Sequence, residues 1–188
     1  EQALQQHGFP PGVGEEVDRL AAETGITALV AVEEGGKSVY VYRSQPDGEG
    51  VVRPHVGTEH HLHTTAFGKV IMAYLPDEYV SEIITHHGLP RRTDETIVEA
   101  DALQAELRTT REEEVAFDDG ERTEGVRSVA APVFYDGDEL FGSVGIVGPA
   151  ERLNDPHAHA KAQRFAETPS NIVKRFAHIL RNKLGDLE

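Results

Sequence analysis

Apolar positions along this chain change period several times, and each change marks an element. Between Gly14 and Thr24 the residues Val17, Leu20 and Ala21 recur at helical spacing, and Gly25 stands where a terminating glycine belongs. Ile26 to Val32 is a buried-type apolar run of strand length, and Val and Tyr alternate within Ser38 to Arg43. Glu33, Glu34, Gly35 and Gly36 between them predict a tight turn and an antiparallel pair. A polar loop over 44–50 leads to a third predicted strand at Val51 to His55. His63 to Tyr74 reads as a loop that becomes a helix through small residues, with Thr64 or Thr65 as its N-cap. Pro76 stops that helix, and Asp77 is read as the cap of another over Glu78 to His87, which ends at Gly88.

The second half repeats these signals. Arg91 to Glu99 is irregular, and a helix runs from Asp101 through Glu114 with Leu103 and Leu107 on one face. Strands follow at Val115 to Asp119, Val126 to Phe134 and Leu140 to Val147, the last two joined through the hairpin pair Asp136 and Gly137. Thr168 and Pro169 open a final helix as N-cap and first residue, with Ile172, Val173, Phe176, Ala177, Ile179, Leu180 and Leu184 on its apolar side. Strands, helices, strands and a helix in that order predict an α+β fold with helices packed on a sheet.

Length and charge narrow what such a domain can do. A chain of 188 residues, 38% apolar, supports one sizeable core. The net charge of −15 repels phosphate backbones, so the polypeptide by itself is not expected to bind nucleic acid tightly. Arginines outnumber lysines 13 to 5, and sparse lysine beside abundant Asp and Glu is a halophile-like signature. Without cysteine there are no disulfides, thiolate metal sites or cysteine nucleophiles. No apolar run reaches the roughly 20 residues of a membrane span, and no secretory pattern opens the chain, so a soluble cytoplasmic protein with no membrane partner is expected. Residues 1–9 read as the tail of a helix begun upstream, broken by Gly8, Pro10, Pro11 and Gly12, and the absence of an initiator methionine predicts a longer parent chain.

The loop entering the helix after His63 is the first candidate site, because free N–H groups and the positive end of a helix dipole attract an anion. Capping by threonine and packing by Gly68 are the plainer reading of the same residues. Five motifs give a second line of argument: His63 to Lys69, Gly88 to Pro90, Phe117 to Asp119, the run Glu124 to Val133, and Gly145 to Pro149. In this order and at these spacings they resemble the effector-binding domain of IclR-type transcriptional regulators, over roughly Gly14 to Leu184. The resemblance implies a GAF-like (profilin-like), mainly antiparallel sheet of about six strands flanked by helices. It implies that residues 1–13 are the end of a linker helix and linker, that 14–188 form the effector domain, and that a winged helix-turn-helix domain precedes them in the parent protein. It further implies a homodimer or homotetramer, DNA contact only through that missing domain, no catalysis and no cofactor, and a small carboxylate or aromatic acid as effector.

Carried over position by position, the resemblance puts the ligand carboxylate on the backbone amides of Ala66 and Phe67, beside Thr65. Asp118 takes a ligand hydroxyl or oxo-derived oxygen, Ser128 donates a further bond, and Leu62, Val126 and Ile71 supply apolar wall. Phe67 departs from the family, which has a small residue there, so a phenyl ring at the pocket mouth is expected to shrink the site or stack on an aromatic ligand. Arg122 is a second-choice anion contact, and Arg127, on the opposite strand face, is expected to form a surface ion pair. A reading of another class uses His60, His61 and His63 as metal ligands of a hydrolase with Asp118 as base. Against it, 61 and 63 share one side of an extended segment while 60 points away, and no metalloprotease or nucleophile-elbow motif is present.

Overall fold

The computed structural model describes residues 9, 12–46, 52, 54–135, 138–153 and 169–185. Its elements are α1 (Val13–Thr24), β1 (Thr27–Glu34), β2 (Lys37–Ser44), β3 (Glu59–His61), a 3-10 turn (Leu62–Thr64), α2 (Ala66–Tyr74), α3 (Asp77–His87), α4 (Ala100–Glu113), β4 (Ala116–Asp119), β5 (Val126–Phe134), β6 (Leu140–Pro149) and α5 (Pro169–Gly185). The six strands form one sheet in the order β3-β2-β1-β6-β5-β4, and every neighbouring pair is antiparallel. This is the α+β architecture that the element order predicts.

Strand alternation divides the core into two layers. Val30, Val32, Val41, Val129, Ala131, Val144 and Ile146 point to one face, where the apolar stripes of α1 (Val13, Val17, Leu20) and α5 (Ile172, Phe176, Leu180) cover them. Leu29, Ala31, Tyr40, Ala116, Ala130 and Val147 point to the other, where Phe67, Val70 and Ile71 of α2 pack on them. Val80 and Ile83 of α3 and Leu103 and Leu107 of α4 complete this second layer. Burial of each such side chain contributes about 1.5–3 kcal/mol, which offsets the ordering of the chain.

Local chemistry fixes the ends of these elements. Gly35 and Gly36, at φ +57° and +79°, make the two-residue turn between β1 and β2, a conformation that twists with the strands and disfavours any residue with a Cβ. Thr65 is the N-cap of α2 and accepts a hydrogen bond from the Gly68 N–H at 3.0 Å. Gly68 is required because a Cβ there would lie 2.2 Å from the Leu62 carbonyl oxygen, so the incoming 3-10 turn lies directly against the helix.

Two expectations are corrected. The third strand lies at Glu59–His61, and Val52, Pro54 and His55 of the predicted Val51–His55 span carry no strand. Pro54 has no N–H to add to a ladder, and the Gly57 N–H instead donates to the Tyr40 carbonyl at 2.7 Å, turning the chain so that 59–61 pair with Lys37–Val39. In α3, Pro76 occupies the cap position and Asp77 is the first helical residue, where its charge favours the dipole without capping it. The helix tail read before residue 9, the Asp136 and Gly137 pair and Thr168 lie outside the described residues.

Candidate functional site

Register brings the first pieces of the site together. Asp118 on β4 lies directly opposite Ser128 on β5, and Ser128 lies opposite Val147 on β6, so the three share one sheet face. The Ser128 hydroxyl donates to Asp118 Oδ2 at 3.2 Å. The start of α2 rests on this row, and the Ala66 N–H donates to Ser128 Oγ at 3.3 Å. Asp118 Oδ1 accepts the Glu121 N–H at 2.8 Å, which closes the turn after β4 over the same carboxylate.

A cavity of about 320 Å³ opens above that row. Its polar wall carries Tyr40, His60, Thr65, Asp118, Arg122 and Ser128, and Val52, Pro54, Val126 and Val147 line its apolar side. This volume suits a small molecule. A larger depression of about 750 Å³ lies between the β1–β2 turn and α3, lined by residues such as Gly35, Tyr79 and His87, but none of its lining residues is a buried polar group. Of the residues singled out in the sequence, His60, Thr65, Asp118, Arg122, Val126 and Ser128 meet around the smaller cavity. Leu62, Ala66, Phe67 and Ile71 are fully buried beneath it and do not line its wall. The Phe67 ring is turned into the core, edge-on to Tyr40 at 5.4 Å between centroids, so it does not stand at the pocket mouth.

Below the cavity lies an ionic network that the sequence reading missed. Lys69, 1% exposed, reaches Glu121 at 2.9 and 3.2 Å and Glu106 on α4 at 2.9 Å. Burial works against the ammonium, yet the Glu121 and Glu106 carboxylates outweigh it and hold its pKa above the ordinary lysine value. The signal was a single charge in the otherwise apolar helix Ala66–Tyr74, since a buried lysine requires acidic partners. Thr93 and Thr96 donate at 2.6 Å to the carbonyls of Gly120 and Glu121 and pin the same turn from the loop before α4.

Burial, and then the nearby Glu121 charge, push the Asp118 carboxyl up to about 7. The folded protein therefore holds a proton at Asp118 that the unfolded chain releases near 3.8, so the buried charge destabilises the fold above about pH 7 and is relieved as pH falls. Asp118→Asn is expected to melt higher than the parent at pH 8 and to lose most of that advantage by pH 5. An equal difference at both pH values would contradict the assignment.

The histidines diverge. Burial, followed by Arg122 and Arg92, lowers the His60 pKa to about 4, and its ring packs on Tyr40. His61 Nδ1 lies 2.9 Å from Lys37 Nζ, and burial and that ammonium lower its pKa to about 4. His63 Nε2 lies 3.1 Å from the Pro90 carbonyl, which braces the loop. Among the described residues no group of three His or acidic side chains is placed to hold a metal ion, so the hydrolase reading has no geometric support. Arg127 forms the ion pair expected of it, with both Asp119 carboxylate oxygens at 2.6 and 3.2 Å on the face away from the cavity. Among the described residues no helix is long and apolar enough to cross a membrane.

A family model described as bacterial transcriptional regulator IclR C-terminal matches residues 2–173. The chain belongs to the IclR family. That family consists of transcriptional regulators, not enzymes. The IclR-type chain is 29% identical over 163 residues to the "Probable HTH-type transcriptional regulator ArcR" of Halobacterium salinarum, covering 85% of this chain and 62% of that relative. It is 30% identical over 156 residues to the HTH-type transcriptional repressor AllR of Klebsiella pneumoniae, covering 82% of this chain and 57% of the repressor. The chain thus spans about three fifths of the length of the curated relatives it matches. Its fold matches the Thermotoga maritima IclR crystal structure with a TM-score of 0.82 at 22% identity, over 98% of this chain and 72% of that one. It also matches the inducer-binding domain of the Acinetobacter PobR transcription factor, a double mutant in complex with 3-hydroxybenzoic acid. That TM-score is 0.79 at 25% identity, over 93% of this chain and 98% of that one.

Proposed function

We propose that this IclR-type domain is the effector-sensing and oligomerising part of a cytoplasmic regulator. In this reading residues 1–13 are the end of a linker and 14–188 the sensor. A small carboxylate-type metabolite binds in the Tyr40, Asp118, Arg122 and Ser128 cavity and shifts a dimer or tetramer between DNA-binding states of an N-terminal winged helix-turn-helix domain. One observation carries the reading: hydroxyl groups, a carboxyl held near neutrality and a guanidinium converge on one small cavity at the start of α2. The complex of the PobR inducer-binding domain with 3-hydroxybenzoic acid supports it.

The hydrogen bonds give this site a way to accept an anion. Ser128 Oγ already accepts from the Ala66 N–H, and its own proton is directed at Asp118. When Asp118 takes up a proton it becomes the donor, and the Ser128 O–H is released toward the cavity. The main-chain amide at the start of α2 then acts through Ser128, orienting the hydroxyl that meets the ligand. Thr65 and Ser128 present hydroxyls to the oxygens of the acid, and Val126 and Val147 contact its carbon skeleton.

Thermal melting of the chain against a panel of 2-oxo, 2-hydroxy and aromatic acids tests this reading. One class is expected to stabilise the fold by about 2.7 kcal/mol at a hundredfold over its Kd. Ser128→Ala is expected to weaken that class by about 1.5–3 kcal/mol, the worth of a hydrogen bond to a charged group. No shift with any acid, or a shift untouched by Ser128→Ala, would overturn the assignment.

A further inference from the structure

Within the effector reading, on which this inference rests, we infer that Arg122 takes the anionic group of the effector, so that a side chain and not the main-chain amides of α2 selects an acid over its neutral amide. Ala66 and Phe67 are both wholly buried, and the Ala66 N–H is spent on Ser128 Oγ. Neither amide lies on the cavity wall. Arg122 does lie there, half-buried in the turn between β4 and β5.

Among the described residues its donors have no partner. Lys69 is bound to Glu121 and Glu106, Arg127 to Asp119, Arg111 to the Ala73 carbonyl, and Arg43 to the Pro54 carbonyl. Arg122 forms no hydrogen bond or ion pair with any of the described residues. A guanidinium offers five N–H donors in a planar fork that matches a carboxylate, and here the fork faces a cavity.

The charge around it points the same way. The whole chain carries −15, so an incoming anion is repelled by most of the surface. Among the described residues of the cavity wall the one carboxyl is Asp118, which burial pushes up to about 7, and His60 is kept uncharged. Tyr40, Thr58, Thr65, Thr123 and Ser128 add hydroxyls, and His55 adds a second imidazole. Below about pH 7, where Asp118 is protonated, no charge on the described residues of the wall opposes that of Arg122.

Main-chain hydrogen bonds fix the turn that carries Arg122. The Gly120 N–H donates to the Val126 carbonyl at 2.9 Å and the Val126 N–H to the Thr123 carbonyl at 3.1 Å. Thr93, Thr96 and Lys69 anchor the adjoining residues Gly120 and Glu121. A turn fixed in advance loses less freedom when its side chain engages a ligand.

Titration calorimetry of the 188-residue chain with acid and amide pairs, benzoate with benzamide and lactate with lactamide, tests the assignment. For the acid that binds, Arg122→Gln is expected to weaken affinity roughly ten- to hundredfold, to leave the amide unchanged, and to abolish the loss of affinity on adding salt. Arg122→Lys is expected to recover part of the affinity for the acid, which a mere folding defect in the Gln variant would not produce. If the parent binds the acid and Arg122→Gln keeps its preference for acid over amide, the inference falls while the effector reading stands. If the parent binds none of these acids nor any in the wider panel, both fall together.

Discussion

Replacing Phe67 with Ala is expected to lower the free energy of unfolding by about 3–5 kcal/mol, the range for deleting a buried aromatic ring. The side chain is wholly buried, packs edge-on against Tyr40, and joins the apolar layer that holds α2 to the sheet. Its backbone carbonyl also accepts the Ser143 hydroxyl of β6 at 3.1 Å, an anchor that the substitution leaves in place. The loss therefore reports packing. Urea unfolding measures it, and a change under 1 kcal/mol would mean that Phe67 does not hold the helix down. Tyr40 lines the cavity from the other side of this contact, so weaker acid binding is expected in the same variant.

Lys69→Met is expected to cost a similar amount, about 3–5 kcal/mol, because it leaves the Glu121 carboxylate buried without its partner. Glu106 is more exposed and is expected to matter less: its side chain is 37% accessible, against 11% for Glu121. The double variant Lys69→Met with Glu121→Gln is expected to recover most of the loss, since the only charge then left without its partner is the more exposed Glu106. Additive losses in the double variant would show that each residue acts independently. The pair also ties the central helix to the turn that carries Asp118 and Arg122. The single variant should consequently loosen the cavity wall, and the double variant should restore it.

Much of this was legible in the sequence, for identifiable reasons. The helices α1, α4 and α5 and the strands β5 and β6 follow from apolar periodicity within a residue or two, because each buries one continuous stripe or face. The opposed pair Asp118 and Ser128 needed strand register, which the sequence supplied only through resemblance. The strand at Glu59–His61 escaped because it is short, polar and at the sheet edge, where no hydrophobic pattern marks it. The expectation of Phe67 at the mouth rests on the resemblance, which carries over its backbone amide and says nothing of where its ring turns. Its direction depended on the Gly68 contact with Leu62, which draws the loop against the helix and turns the ring inward. The Lys69 network joins residues 52 and 37 positions apart, a separation that local patterns do not reach.

The proposed function rests on entry of a small acid into the cavity above Asp118 and Ser128. Nitrogen–proton correlation spectra of the chain, recorded while the most stabilising acid of the panel is added, test it directly. Saturable shifts are expected at Thr65, Asp118, Arg122 and Ser128, with little change at Gly35, Tyr79 and His87. Shifts that gather at the latter group, or none that saturate, would contradict it.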